Sequence, residues 1–326
     1  MKLANVSVAG RRLLVIEGVN GALIDASQLV GRDQLDMNAV LAEGDELLNA
    51  LRRRLADGTI ETAAIDPADV QWLPPSPTPS KIVGVAVNNK SIAQYAYREP
   101  TEPAYFLKPP SALVGHREPV VVPTDFGLTH PEPELAAVIG RRSRNLSSER
   151  ALEAVLGFTI INDITSPSLK DRDSMELMPA AGAIGPVELD WRHVRAAEDR
   201  SVYLTYHARS KGCDSFAPMG PWLVTTDAVG DPNCLDVTCL LDGEAVLVDS
   251  TSRLTFSVET VLAHLTRYMT LEAGDVVHFG TAVKVAAPER FPTVRHVDMS
   301  RVGAIRRNRR NRPAGQSDHA ILTEAT

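Results

Sequence analysis

Ten short runs rich in β-branched and other apolar residues divide most of this chain, at 82 to 87, 104 to 107, 120 to 122, 134 to 139, 158 to 162, 202 to 206, 221 to 225, 236 to 248, 275 to 279 and 294 to 299. Runs of this length bounded by turn residues read as strands rather than helices. Everything beyond residue 80 is therefore expected to bury itself mainly as sheet. Within the longest run, Asp242-Gly243 separates two apolar stretches, and glycine accepts the positive φ that a tight hairpin turn requires. Two helices are expected among the strands. One is capped by Ser147 and stopped by Gly157; the other is capped by Ser257 and turns Val261, Leu262, Leu265 and Met269 inward.

Ahead of the strands lies a different pattern. Residues 12 to 18 read as a strand, and Leu41, Leu47, Leu48, Leu51 and Leu55 mark one face of a helix ending near Gly58, which together make a small α/β unit. Pro74-Pro75-Ser76-Pro77-Thr78-Pro79-Ser80 follows, with φ fixed at four positions, as in an extended linker. The expected division is a small N-terminal domain over 1–73, a catalytic domain over 80–308 and a disordered tail over 309–326. The tail follows Arg306, Arg307, Arg309, Arg310 and Arg312 and turns small and polar, a composition that suits a solvated tail better than a nucleic-acid arm.

Composition removes several classes of function. A chain of 326 residues that is 44% hydrophobic can bury a core without disulfide or metal staples. Its net charge of -7 gives no basic field for nucleic acid or an anionic membrane. Three cysteines, Cys213, Cys234 and Cys239, without Cys-x-x-Cys spacing argue against a disulfide framework or zinc cage. With no apolar leader at Met1 to Asn5 and no run of about 20 apolar residues, a cytoplasmic protein is expected.

The chemistry is concentrated in one stretch. His130-Pro131-Glu132-Pro133-Glu134 sets two carboxylates two residues apart, just ahead of the apolar run Leu135 to Gly140, and in extended chain such positions share a face. Two carboxylates on one face repel unless water or a cation screens them. For an isolated Glu-x-Glu, a solvated strand entrance is the simpler reading. A third acid changes the balance: Asp163 ends the apolar run Gly157 to Asn162, at the mouth of a buried strand. Three oxygen-donor acids suit Mg²⁺ or Mn²⁺ better than zinc.

These residues sit in a pattern that resembles the fumarylacetoacetate hydrolase superfamily, whose members carry Glu-x-Glu before LA-x-VIG, then GYT-x-x-ND, then GKSFDTFAPLGPW. The matching residues here are Glu132 to Gly140, Gly157 to Asp163, and Lys211 to Trp222. The likeness continues through Lys81 to Gly84, Phe106 to Gly115, and Met269 to Asp275 before Gly280-Thr281, in order over roughly residues 80 to 308. It implies an α+β, mainly β fold, with a mixed β-roll catalytic domain behind a small N-terminal α/β domain, and a homodimer. By position it implies Glu132, Glu134 and Asp163 as ligands of Mg²⁺ or Mn²⁺ and Lys211 as a catalytic cation. Thr281 and Lys108 fall among the substrate contacts. The implied substrate is a small 2-oxo acid or 1,3-dicarbonyl compound, whose enolate the metal and Lys211 would stabilise.

The pattern breaks where water would be activated. Family hydrolases carry NY-x-x-H-x-x-E on a mobile lid, and this chain has Asn88-Asn89-Lys90-Ser91-Ile92-Ala93-Gln94-Tyr95. Ile92 takes the histidine position and Tyr95 the glutamate position, leaving Tyr95, Tyr97 and Lys90 as candidate substitutes. SARD-x-Q has become Thr165 to Lys170, and GTP-x-GV has become Gly280 to Val285. Lys170 and Lys284 either replace a lost arginine at the substrate or face solvent. A long segment over about 171 to 210, with Met175, Met178, Ala180 and Ala181, suggests a partly apolar flap. Three functions follow. The first is cleavage of a carbon–carbon bond by hydrolysis or decarboxylation. The second is a tautomerase, dehydratase or cyclase, which needs no histidine-activated water. The third is a catalytically silent binding scaffold.

Overall fold

A computed structural model describes residues 1–18, 21–57, 64–94, 96, 99–178, 202–241, 243–281 and 304–307. The chain is mainly β, built on one eleven-stranded mixed sheet. From one edge it runs through Ala64–Ile65, Leu23–Asp25, Arg11–Glu17, Lys2–Val8, Trp222–Thr225, Val155–Asn162, Pro133–Ile139, Val276–Thr281, Ile82–Ala86 and Ala104–Lys108; Gln71–Leu73 pairs beside Lys2–Val8. Every pairing in it is antiparallel except that of Val276–Thr281 with Ile82–Ala86. The two central strands, Pro133–Ile139 and Val155–Asn162, are buried at every position. Covered on both faces, they read as continuous apolar runs rather than alternating ones.

The faces are covered from different parts of the chain. Helices Ala26–Val30, Met37–Glu43 and Asp45–Asp57 press Leu29, Val40, Leu47, Leu48 and Leu51 onto Leu3, Leu14, Ile16, Leu223, Val138 and Leu156. The second main cluster holds Val261, Leu262 and Leu265 of helix Val258–Tyr268 together with Val237, Cys239, Val246 and Leu247 of the Leu235–Leu241 and Glu244–Ser250 hairpin. The Ser257 side chain caps that helix by accepting from Thr260 N–H.

Three sequence expectations need correction in detail. The segment behind Ser147 is a 3-10 helix, Ser148–Ala154, and Ser147 makes no side-chain cap. It does not reach Gly157, because Val155-Leu156 already belong to the next strand and Gly157 pairs with Thr225 inside the sheet. Residues 120 to 122 form no strand, and Leu41 belongs to a separate helix, Met37–Glu43, ahead of Asp45–Asp57. The expected strand at 294 to 299 lies outside the described residues.

The proline-rich segment is packed against the sheet. Pro75, Ser76 and Pro79 are buried, Ser76 Oγ donates to Gly274 O, and Asn5 Nδ2 donates to Pro74 O at 3.1 Å. Lys2–Val8 pairs directly with Trp222–Thr225, so the N-terminal strands and those beyond residue 80 share one sheet. No disulfide joins the cysteines, and no helix of the described residues is long and apolar enough to cross a membrane.

Candidate active site

Strand register brings the acids together. Glu134 lies between Ile161 on one neighbouring strand and Thr281 on the other. The Asp163 N–H donates to Glu132 O at 2.8 Å, and the Glu132 N–H to Asn162 Oδ1 at 2.8 Å, so pairing continues past the strand ends and holds the third acid opposite the first. Along Val276–Thr281 the register slips between His278 and Thr281, opposite Ala136 and Glu134. Such a bulge needs one residue of unusual backbone, and Gly280 supplies it at φ 108°. The bulge aims the Gly280 N–H at Glu134 Oε2, 2.7 Å away.

Each carboxylate is held by named partners. Lys211 Nζ donates to Glu132 Oε2 at 2.6 Å and to Asp163 Oδ2 at 2.5 Å. Lys108 Nζ donates to Asp163 Oδ1 at 2.5 Å and also to the Lys211 carbonyl. His278 Nδ1 lies 2.6 Å from Glu134 Oε2 and His130 Nε2 lies 3.0 Å from Glu132 Oε1. Burial works against the charge on Asp163, yet Lys108 and Lys211 outweigh it and hold its pKa well below the usual range. The same balance lowers Glu132, where Lys211 and His130 overcome burial. Lys211, with two carboxylates against the cost of burial, is pushed up. Glu134 goes the other way: burial raises it, and His278 offsets this only in part.

Those partners also test whether a metal fits. One ligand atom each of Glu134, Asp163 and His278 lie within 4.8 Å of one another, the span across a single ion with metal–oxygen bonds of about 2.0–2.6 Å. Glu132 and Asp163 already share one cation, Lys211. Glu134 is disfavoured as an anion by burial and by the nearby Asp163 and Glu132 carboxylates, a situation a divalent cation reverses. The residues present therefore fit a hard divalent ion.

Above the acids is a cavity of about 410 Å³, lined by Glu132, Glu134, Asp163 and Lys211 at the charged end and by Val85, Ile92 and Phe106 along an apolar wall. The Lys211 ammonium lies 4.8 Å from the Phe106 ring centroid. Thr281 and Lys170 line the same cavity. Lys108 does not. Its side chain is fully buried behind Asp163, so its assignment as a substrate contact is corrected: from there it supports Asp163 and cannot touch a ligand. Lys284, Tyr95 and Tyr97 lie outside the described residues. Lys90 Nζ turns to Ser252 O at 3.4 Å on the surface.

Other site residues were not legible in the motif. Asn88 Nδ2 donates to the carbonyls of Phe256 and Phe279, and Asn89 Nδ2 to Thr281 O and Asp249 Oδ2, tying the Lys90–Ala93 helix to the bulged strand. His278 is fully buried, with Nε2 unpaired among the described residues. It stacks edge-on against Phe106 at 5.5 Å. Both rings fit because residue 84 is glycine: a Cβ there would lie 2.2 Å from Phe106 Cζ and 2.5 Å from His278 Cε1. A lone histidine inside the apolar run Val276 to Phe279 is the one sequence signal that could have marked it.

Three acids and a buried lysine, set on a large mixed sheet, fit the pattern of the family that the sequence resembles. Residues 81–307 match the model of the fumarylacetoacetate (FAA) hydrolase C-terminal family; the chain belongs to that family. A mitochondrial oxaloacetate tautomerase of Bos taurus is 28% identical over 286 residues, covering 87% of this chain and 81% of the relative. A maleylpyruvate hydrolase from Sphingobium sp. SYK-6, solved with manganese (II) and pyruvate, superposes with TM-score 0.64 at 26% identity, over 88% of this chain and 90% of that one. A 5-carboxymethyl-2-hydroxymuconate delta-isomerase from Mycobacterium smegmatis gives TM-score 0.60 at 25% identity over 88% and 89%. The similar proteins thus include a hydrolase, an isomerase and a tautomerase.

Proposed function

We propose that this chain is a divalent-metal-dependent enzyme that enolises a small 2-oxo acid, and that its reaction is tautomerisation rather than hydrolysis of a carbon–carbon bond. The observation that carries this reading is Ile92. It lines the cavity, and in the sequence pattern it takes the place where a family hydrolase carries its water-activating histidine. Enolisation needs no attacking water, and an apolar side chain at that point helps to keep water out. The tautomerase among the curated relatives supports the same choice.

Glu132, Glu134 and Asp163 would hold Mg²⁺ or Mn²⁺. When bound, the ion supplies Lewis-acid polarisation of the carbonyl. The remaining work falls to the chain. Lys211, fixed between Glu132 and Asp163, places an ammonium where negative charge develops on the substrate oxygen. Lys108 keeps Asp163 ionised from behind. Lys170 offers a second positive charge at the cavity rim for the distal carboxylate of a dicarboxylic substrate, and Thr281 a hydroxyl. The proposal includes a homodimer, which light scattering would register at twice the chain mass, and a cytoplasmic location.

Proton NMR of oxaloacetate with the purified chain and Mn²⁺ tests the reading. Accelerated keto–enol interconversion without faster pyruvate release is expected. Pyruvate or cleaved acid formed faster than the enol equilibrates would favour carbon–carbon cleavage instead, the reading closer to the hydrolase from Sphingobium.

A further inference from the structure

Enolisation moves one proton, and with Ile92 at the usual base position some other group must carry it. The cavity wall narrows the choice. Glu132, Glu134 and Asp163 are bonded to Lys211, Lys108, His278 and Gly280 N–H. Lys211 is locked between two carboxylates. The Tyr105 hydroxyl lies 2.8 Å from His264 Nδ1, and burial pushes its pKa up. Among the described residues one imidazole lines the same cavity, that of His207.

His207 stands at the junction between strand Val202–Thr205 and the short helix Ala208–Gly212. Its carbonyl accepts the Lys211 N–H at 3.0 Å, so the turn that delivers Lys211 to the acids also sets His207 in the wall of the same cavity. The side chain does not cap the helix, and Nδ1 is enclosed with no hydrogen-bond partner among the described residues. Among the described residues, no hydrogen bond occupies that nitrogen.

We infer that His207 is the proton carrier of this site, replacing the lid histidine from a different element of the fold; the inference rests on the enolisation reading. The C–H bond beside the substrate carbonyl breaks, its proton passing to a ring nitrogen of His207. The bonding pair becomes the carbon–carbon double bond, and the carbonyl π pair moves to oxygen. The imidazolium then returns that proton to the oxygen. The enol is formed with no co-reactant, and the reverse sequence restores the ketone. Lys170 from helix Pro167–Arg172, Lys211 on its own helix, Asp163 at the strand end and Asp173 act on the ring electrostatically. Burial first, then the two lysines, lower the imidazole's pKa against the pull of the two acids.

The test uses the full chain loaded with Mn²⁺, with oxaloacetate as probe. His207→Gln is expected to lower kcat at least about 100-fold and to remove the acidic limb of the pH profile, while Mn²⁺ affinity measured by electron paramagnetic resonance stays unchanged. Added imidazole is expected to restore part of the rate in His207→Ala. A His207→Gln enzyme within about threefold of wild type, or a lost acidic limb in Lys170→Met instead, would overturn the inference and leave the enolisation reading standing. Wild-type protein that binds Mn²⁺ but enolises no 2-oxo acid would overturn both. Loss of Mn²⁺ binding or of the folded state in both His207 variants would assign the residue a structural role and also overturn it.

Discussion

At the residue scale, the site works through pairs that differ sharply in what their loss would cost. Lys108 and Asp163 are both fully buried and bonded to each other. Removing one partner of such a pair leaves an uncompensated charge, so Lys108→Met is expected to destabilise the fold by about 3–5 kcal/mol in urea titration. Lys170→Met, at an exposed position, is expected to shift stability by no more than about 0.5 kcal/mol. Equal effects would contradict the burial argument. His116 gives a second residue-level outcome. It packs edge-on against Trp72 at 5.9 Å, and burial, then Arg117, lowers its pKa from 6.5 to about 4. Between those values the unfolded chain binds a proton that the folded chain refuses. Stability is therefore complete above pH 6.5 and falls as pH drops toward 4. Between pH 7 and pH 5 this group alone costs about 2 kcal/mol. Denaturant midpoints at the two pH values should show that decline in wild type and not in His116→Phe; the same decline in both would refute it.

At the scale of the element, what the sequence reveals depends on how local the cause is. Glu132, Glu134 and Asp163 could be picked out because strand alternation and the end of an apolar run are properties of neighbouring residues. Lys108 was misassigned because strand periodicity leaves open which face of the sheet looks onto the cavity; its burial behind Asp163 is a tertiary fact. His278 was missed for the same reason: its meaning comes from Glu134 on the next strand and from the space left at Gly84. The 3-10 segment Ser148–Ala154 read as a longer helix because a serine cap signals a start without saying where the sheet reclaims the chain. The bulge at Gly280 shows an element acting directly on the site. Gly280→Ala would force a side chain into φ 108° and bring its Cβ within 3.1 Å of Asn88 Cβ. A loss of about 1–3 kcal/mol is expected, together with weaker Mn²⁺ binding as the shifted bulge turns its N–H away from Glu134. Unchanged stability and affinity would mean that the bulge plays no part.

At the scale of the whole molecule, one sheet links the N-terminal segment to the strands that carry the three acids. The composition change near residue 73 marked a real difference in pattern, yet Lys2–Val8 pairs with Trp222–Thr225, and the prolines that follow are packed rather than free. Because Leu3, Leu14 and Ile16 share a core with Val138, Leu156 and Leu223, calorimetry of the full chain is expected to show a single unfolding transition. Two separated transitions would restore an independent N-terminal domain. The central claim is that acids from two neighbouring strands grip one hard ion, and titration with Mn²⁺ followed by electron paramagnetic resonance tests it most directly. The account predicts one bound Mn²⁺ per chain, lost in Asp163→Asn and Glu134→Gln while both variants stay folded. Manganese left free in solution by the wild-type protein, or bound equally well by the two variants, would contradict it.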